Sequence, residues 1–166
     1  MSDLLQTLQN MEMLQGISAA ELEQIVAISE EVEFSEGAVI FRENNPAENI
    51  FLIVDGSVSL EICAPGVGCR KILTVGQGQL LGCSPILENA RYTATARAMS
   101  AVRAIRMQGR NVLALCEADP RLGYRFMQRA AIALAKRLDA TRLQLLNVFD
   151  SELVREAPEH PSSKRE

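Results

Sequence analysis

The spacing of apolar and polar residues divides the chain into three parts, of which the first is helical. Apolar residues at positions 22, 25, 26 and 28 recur at helical spacing. Ser18, followed three residues later by Glu21, is the signature of a capping box at a helix N-terminus. A shorter apolar stretch, residues 4–14, predicts another helix before it. The chain is therefore expected to begin with helices.

The second part, residues 32–107, reads as a series of short β-strands. Apolar runs recur at intervals of roughly ten residues and are separated by glycine-containing turns, which predicts a sandwich or jelly roll. Asp55-Gly56 follows the apolar run 50–54 and precedes an alternating run, which predicts a hairpin because Gly56 adopts positive φ at low cost. Residues 64–68 predict a second hairpin loop, between strands that end at Cys63 and begin at Cys69.

The third part is helical again. A short helix over 110–117 leads to Asp119 and Pro120, a favourable N-cap and first helical residue. The next helix is expected over residues 120–149, roughly 45 Å at 1.5 Å per residue, with the tail 150–166 disordered. Its apolar stripe predicts a homodimer, because the distal half would otherwise expose apolar groups. The alternative is that the stripe packs on the β-region of its own chain. The expected dimer contacts are Phe126, Ala130, Leu134, Leu138 and Leu145.

Composition and charge bound the function. The 166 residues carry 17 Lys and Arg against 21 Asp and Glu, which argues against general nucleic-acid affinity. Residues 1–60 hold eleven acids and one base, whereas residues 61–150 hold thirteen bases and six acids. The basic half either attracts an anionic ligand or places arginines on a solvated helix. Without an apolar run of about 20 residues or a signal-like start, the expectation is a cytoplasmic protein with no membrane contact.

The cysteines and the single histidine predict no metal site. The four cysteines lack a Cys-x-x-Cys spacing, so reduced thiols are expected. Cys63 and Cys69 could pair across their hairpin, but two unpaired thiols are favoured in a cytosolic protein. The one histidine, His160, lies in the tail. No nucleophile–base pair or phosphate-binding loop is evident, so the chain is predicted to be non-enzymatic.

Residues 41–60, together with the order of elements, resemble the cyclic-nucleotide-binding domain of catabolite-activator-type regulators and kinase regulatory subunits. The resemblance covers residues 12–149 and includes turn glycines at positions 37, 56, 78 and 82. It implies an α+β fold, a β jelly roll with N-terminal helices and a long C-terminal helix, as one domain over residues 1–149. In the regulators the long helix forms a parallel dimer and leads into a helix-turn-helix. About seventeen residues follow that helix here, so we expect no DNA binding by this chain alone.

The phosphate-binding cassette of that family is altered in this chain. In the family, a Gly-Glu pair precedes a short helix and an Arg-x-Ala-x-x-x-Ala motif. The Glu accepts a hydrogen bond from the ribose hydroxyl, and the Arg pairs with the phosphate. Counting from Gly82, the ribose position holds Cys83. Counting back from Ala94 and Ala98, the phosphate position holds Tyr92. Cyclic AMP and cyclic GMP are therefore not expected to bind more tightly than roughly 100 μM, since each lost charged hydrogen bond is worth roughly 1.5–3 kcal/mol. The altered ligand site implied by the resemblance comprises Gly82, Cys83, Ser84, Arg91, Tyr92 and Thr93.

Several interpretations of this site stay open. Tyr92 either fills the phosphate site, with its hydroxyl on cassette amides, or stacks on a planar ligand beside Arg91, Thr93 and Thr95. Arg91 lies one residue before the position of the phosphate arginine. Glu88 lies several residues after the position of the ribose glutamate. Cys83 is favoured as a small buried residue over a redox-sensing thiol, with haem ligation as a minor alternative. The chain is thus a regulatory module for an unknown small molecule, a ligand-free module for a protein partner, or a redox sensor.

Overall fold

The computed structural model describes residues 2–87 and 91–156, and it describes side chains for residues 3–87 and 91–151. Helices and 3-10 turns enclose a series of short strands in the order that the sequence predicted. The elements are α1 Ser2–Gln9, a 3-10 turn Glu12–Leu14, α2 Ala19–Ala27, β1 Ser29–Phe34, β2 Val39–Phe41, β3 Asn49–Asp55, β4 Val58–Ala64, β5 Gly68–Val75, β6 Leu80–Leu81, a 3-10 turn Ser84–Ile86, β7 Thr95–Ala98, β8 Val102–Gln108, α3 Gly109–Ala118 and α4 Pro120–Glu156.

The strands form two four-stranded antiparallel sheets. One sheet has the order β1-β8-β3-β6 and the other has the order β2-β7-β4-β5. A first core cluster joins α1, α2, α3 and the start of α4 to β3, β6 and β8. A second cluster, which includes Phe51, Ile53 and Ala96, draws its residues from both sheets. The predicted α+β jelly roll with N-terminal helices and a long C-terminal helix is confirmed.

The turn at Asp55 and Gly56 does not close a hairpin, so that prediction is wrong. β3 and β4 belong to different sheets, and the turn carries the chain from one sheet to the other. Gly56 has φ +92°, and an added Cβ would lie 2.3 Å from the carbonyl oxygen of Ala101. The glycine is therefore required by backbone conformation and by this close approach. A local turn signal does not specify which strand becomes the pairing partner.

The hairpin over residues 64–68 is confirmed, and it brings Cys63 and Cys69 together. β4 pairs with β5 so that Cys63 lies directly opposite Cys69. Their Cα atoms are 4.0 Å apart and their sulfurs form a disulfide. The expectation of two unpaired thiols is therefore wrong. Cross-strand register places the sulfurs together, and a separation of six positions along the sequence does not by itself reveal this.

The helix starts follow the predicted local chemistry. The Ser18 hydroxyl accepts a hydrogen bond from the Glu21 N–H at 3.3 Å, and the Glu21 carboxylate accepts one from the Ser18 N–H at 2.8 Å. This confirms the capping box at α2. At the start of α4, the Asp119 carboxylate accepts a hydrogen bond from the Leu122 N–H at 3.2 Å.

Helix α4 belongs to two compact units, one over Met1–Ala133 and one that begins at Leu134. In the first unit, Phe126 and Ala130 are 2% and 3% exposed and lie in the first core cluster. Their assignment as dimer contacts is therefore wrong, because this part of the stripe packs on its own chain. In the second unit, Leu134, Leu138 and Leu145 are exposed. The helix continues past residue 149 to Glu156, and the rest of the predicted tail, 157–166, lies outside the described residues.

Candidate functional site

The altered cassette begins at a two-residue strand in the core. β6 pairs with β3 through Leu80 and Leu81, and both leucines are fully buried. Gly82 follows with φ +75°, a conformation that favours glycine. Cys83 then precedes the 3-10 turn that Ser84 opens. Glu88, the late carboxylate considered as a replacement, lies outside the described residues.

Tyr92, which motif counting assigned to the position of the family's phosphate arginine, is buried in the protein. Its side chain belongs to a residue that is 5% exposed. The Tyr92 ring stacks on Phe41 with centroids 3.9 Å apart and planes 12° apart, and Phe41 in turn stacks on Phe51 at 6.2 Å. Aromatic contacts of this kind add to the stabilisation from burial alone. Tyr92 is therefore part of the core, and its ring face is already occupied by Phe41.

The phenol hydroxyl of Tyr92 is fully hydrogen-bonded to one backbone position. It donates to the Asn49 carbonyl at 2.8 Å and accepts from the Asn49 N–H at 3.2 Å. Its partner is thus the start of β3, whereas one of the two interpretations of the sequence had placed the hydroxyl on the cassette amides. Burial raises the pKa of Tyr92 above its usual value, and the hydrogen bond with Asn49 partly opposes that shift. The group at the phosphate position is a neutral phenol.

Gly82 and Tyr92 pack against each other. A Cβ added to Gly82 would lie 3.1 Å from the Phe41 ring, 3.3 Å from the Asn49 carbonyl oxygen and 3.3 Å from the Tyr92 ring. A side chain at position 82 would therefore crowd both aromatic rings.

The remaining predicted site residues are divided between the interior and the surface. Arg91 and Thr93 are exposed, on either side of the buried Tyr92. Arg91 donates from Nη1 to the Asn44 carbonyl at 2.6 Å. Cys83 and Ser84 are 6% and 9% exposed, and Cys83 lies in the first core cluster. The structure brings Gly82 and Tyr92 together and leaves Arg91 and Thr93 outside.

Sequence reasoning missed the two residues that hold Tyr92 in place. Phe41 ends β2, and Asn49 begins β3, 43 residues before the tyrosine. No local pattern marks either as a partner, because the contact depends on how the two sheets approach each other. The apolar character of Phe41 at a strand end was the one available signal.

A cleft lies beside the cassette turn. It has a volume of about 470 Å³ and is lined by Ala47, Glu48, Pro85, Gln108, Arg110 and Leu113. Arg110 donates from Nε to the Gln108 side-chain oxygen at 3.0 Å. A carboxylate and a guanidinium thus line the same opening, which is large enough for a small ligand.

Within the part of the chain that the structure describes, no helix has the length and apolar character needed to span a bilayer.

Comparisons with known proteins agree with this architecture. The chain is 25% identical over 112 residues to a protein of Rhodopseudomonas palustris named as a potassium channel, which covers 68% of this chain and 27% of that protein. It is 26% identical over 141 residues to the CRP-like cAMP-activated global transcriptional regulator of Mycobacterium tuberculosis, which covers 84% and 60%. The chain therefore spans less than two thirds of either curated relative.

A solved structure from Geobacter metallireducens, named as a cyclic nucleotide-binding protein, is similar over most of both chains. The two are 30% identical with a TM-score of 0.72, and the match covers 80% of this chain and 96% of that one. The family model of the cyclic nucleotide-binding domain matches residues 31–119, more than half of the sequence. The chain belongs to the cyclic nucleotide-binding domain family.

Proposed function

We propose that this chain is a non-enzymatic regulatory module that has exchanged the family's phosphate clamp for a closed aromatic contact, and that it acts through self-association of its long helix. The observation that carries the proposal is Tyr92, which is buried, stacked on Phe41 and hydrogen-bonded at its hydroxyl to Asn49. The ribose position holds Cys83, a thiol in the core.

The replaced residues remove the attraction for a cyclic phosphate. An arginine pairs with phosphate through two parallel charged hydrogen bonds, and a neutral phenol supplies neither the charge nor the geometry. Tyr92 also has little freedom to turn away, since that would break its contacts with Phe41 and Asn49. With charged hydrogen bonds worth roughly 1.5–3 kcal/mol each, we expect affinities for cyclic AMP and cyclic GMP weaker than about 100 μM.

Isothermal titration calorimetry with each nucleotide tests this proposal. No saturable heat is expected below about 100 μM, and a low-micromolar dissociation constant would contradict the proposal. Arg91→Ala separates the two possible origins of any binding. If this substitution abolished the binding, the exposed Arg91 would be the residue that contacts the anion. If it left the binding unchanged, the anion would be bound inside the cassette.

The distal part of α4 supports self-association. Leu134, Leu138, Thr141, Leu145 and Val148, which we term the distal seam, alternate at spacings of four and three residues. This is the a and d spacing of a coiled coil, in which a second copy of the same seam is the natural complement. Its leucines and valine are exposed, with Leu138 at 52% and Leu145 at 55%. We propose that a second copy of the chain covers the distal seam.

A ligand-sensing version of this role is the second candidate. The cleft of about 470 Å³ beside Pro85 would let a small molecule reach the cassette turn without entering the closed interior. A ligand with both a cationic and an anionic group would complement Glu48 and Arg110. Native mass spectrometry of protein purified from its own host tests this version. A retained small molecule that Arg110→Ala removes would support it, and the bare chain mass alone would count against it.

The thiol-based alternative receives less support. Cys83 is only 6% exposed and packs among apolar side chains, so an oxidant or a haem iron would have to enter the core to reach it. The function proposed for this chain therefore involves neither haem nor a reaction at Cys83.

A further inference from the structure

We propose that Cys63, Cys69 and Glu61 form a redox-controlled Zn²⁺ site, closed by the disulfide and opened when a dithiol reduces it. The two sulfur atoms and a carboxylate oxygen of Glu61 all lie within 4.8 Å of one another. None of these three residues belongs to the cassette or to the distal seam as defined above, so the proposal stands independently of the function proposed above.

The β4–β5 hairpin creates this arrangement. Cys63 and Cys69 face each other across the two strands, with Cα atoms 4.0 Å apart. Glu61 precedes Cys63 by two residues on β4, and side chains two residues apart lie on the same face of a strand. The register between β4 and β5 shifts between Leu60 and Glu61. Such irregularities re-aim a side chain, and here the carboxylate approaches the sulfurs.

The ligand set suits Zn²⁺. Thiolates and a carboxylate bind this ion at about 2.3 Å and about 2.0–2.2 Å, and water can complete a tetrahedral site. Two sulfurs bound to one tetrahedral ion lie about 3.8 Å apart, a separation that the facing side chains can reach once the S–S bond is broken. In a reducing compartment, paired cysteines are more often metal ligands than disulfides. The expectation that the chain has no metal site rested on spacing along the sequence, which the hairpin register overrides.

The surroundings of Glu61 fit a metal ligand. Ser59 donates a hydrogen bond to one carboxylate oxygen at 3.0 Å, and Arg97 Nε lies 3.5 Å from the other. The Glu61 side chain is 15% exposed. These contacts hold the orientation of the carboxylate, as outer partners do at metal sites. Two thiolates and one carboxylate around Zn²⁺ leave one net negative charge, which the Arg97 guanidinium offsets.

The redox step balances without any group beyond a dithiol reductant and the ion. The dithiol transfers two electrons and two protons to the Cys63–Cys69 bond, and its own sulfurs become a disulfide. Two thiols then stand on the hairpin. Zn²⁺ binding releases their two protons to solvent and joins both thiolates to the Glu61 carboxylate. In the reverse exchange, the disulfide form of that reductant takes two electrons from the two thiolates and two protons from solvent, which re-forms the Cys63–Cys69 bond and releases the ion.

The test uses the full chain in its oxidised form and after reduction with a phosphine that is then removed. Each form is titrated with Zn²⁺ against a chromogenic chelator. We expect about one Zn²⁺ per reduced chain with submicromolar affinity, and none bound by the oxidised chain. Cys63→Ser and Cys69→Ser should abolish that binding, and Glu61→Gln should weaken it at least about tenfold. Cys116→Ser, which removes a thiol outside the hairpin, should leave it unchanged.

Cobalt substitution gives a second readout that does not depend on the variants folding. The reduced wild-type chain with Co²⁺ should show a thiolate-to-metal charge-transfer band, and the oxidised chain should not. Equal binding by both forms, or no Zn²⁺ binding by the reduced chain, would overturn the proposal. Unchanged affinity in Glu61→Gln would remove Glu61 from the site, and loss in Cys116→Ser alone would relocate it.

Discussion

At the scale of single residues, Tyr92 makes an aromatic contact through its ring and hydrogen bonds through its hydroxyl. The ring stacks on Phe41, and both rings lie next to Gly82, while the hydroxyl is hydrogen-bonded to both backbone groups of Asn49. A buried phenol needs such a partner, because an unsatisfied hydroxyl in the core costs free energy. One side chain thus links the cassette to β2 and β3.

Tyr92→Phe tests the hydroxyl. The substitution keeps the ring but leaves the Asn49 N–H and carbonyl without this partner, so the free energy of unfolding should fall by about 1–3 kcal/mol. Urea denaturation followed by far-UV circular dichroism measures the change. Tyr124→Phe is the matched control, because Tyr124 is 69% exposed and its change should stay within about 0.5 kcal/mol. Equal effects at the two tyrosines would refute a structural role for the hydroxyl.

Gly82→Ala tests the close packing of the cassette backbone on Tyr92. Gly78→Ala is its control, because both glycines have positive φ, +75° and +78°, but only Gly82 has neighbours within 4 Å of an added Cβ. Both variants should lose the roughly 1–2 kcal/mol that a Cβ costs in this conformation. Gly82→Ala should lose about 1 kcal/mol more, because the aromatic rings must shift. Thermal unfolding of the two variants side by side gives the difference, which would be zero if the contact were loose.

At the scale of elements, the capped helix starts were predictable from sequence, whereas of the strand pairings only the hairpin over residues 64–68 was. Ser18 with Glu21, and Asp119 before α4, act within one turn of their own helix, so their spacing carries the information. Asp55-Gly56 gave an equally local signal, but the partner of β4 is decided by the packing of two sheets. The Cys63–Cys69 pair likewise depends on register. The positions of Cys83 and Tyr92 in the cassette came from motif counting, whereas the contacts of Tyr92 required the fold.

Glu21→Gln tests the capping box through its pH dependence. The pKa of Glu21 is held below its ordinary value, chiefly by the hydrogen bond from the Ser18 N–H and also by that from the Ser18 hydroxyl. A lowered pKa means that the carboxylate stabilises the folded chain above the unfolded-state pKa, and that this advantage is lost as pH falls through the folded-state value.

The wild-type chain should therefore exceed Glu21→Gln in stability at neutral pH by about 0.3–1 kcal/mol, the typical effect of a negative charge in the first helical turn, because Gln keeps the capping-box acceptor. The difference should shrink as the pH falls below the ordinary value of 4.5. Chemical denaturation across that range measures it. Glu23→Gln changes an exposed carboxylate on the same helix and should show no comparable trend. A constant difference between wild type and Glu21→Gln would exclude the charge as its cause.

At the scale of the whole molecule, the apolar stripe of α4 is buried in its first part and exposed in its distal part. Periodicity predicted the stripe along α4, but it could not tell which surface covers each part. Phe126 and Ala130 are covered by the chain's own core, while Leu138 and Leu145 are exposed. The boundary between these parts depends on the tertiary packing of the first unit, which residue spacing does not encode.

Leu138→Glu tests self-association through the distal seam. Leu143→Glu is the control, because Leu143 is also exposed, at 64%, but lies on the opposite face of the helical repeat. Light scattering at tens of micromolar should report a dimer for the wild-type chain and for Leu143→Glu, and a monomer for Leu138→Glu. A monomeric wild-type chain, or equal losses in both variants, would contradict the proposed dimer.

The placement of the two tyrosines has an optical consequence. The chain contains two tyrosines and no tryptophan, so the fluorescence excited in the tyrosine absorption band, where phenylalanine does not absorb, comes from Tyr92 and Tyr124. Tyr92 is enclosed in the cassette, and Tyr124 is open to solvent. In a Tyr124→Phe background, all of that emission would originate at the position of the family's phosphate arginine. The burial of Tyr92 thus also makes this emission an unlabelled probe of whether the surroundings of Tyr92 change.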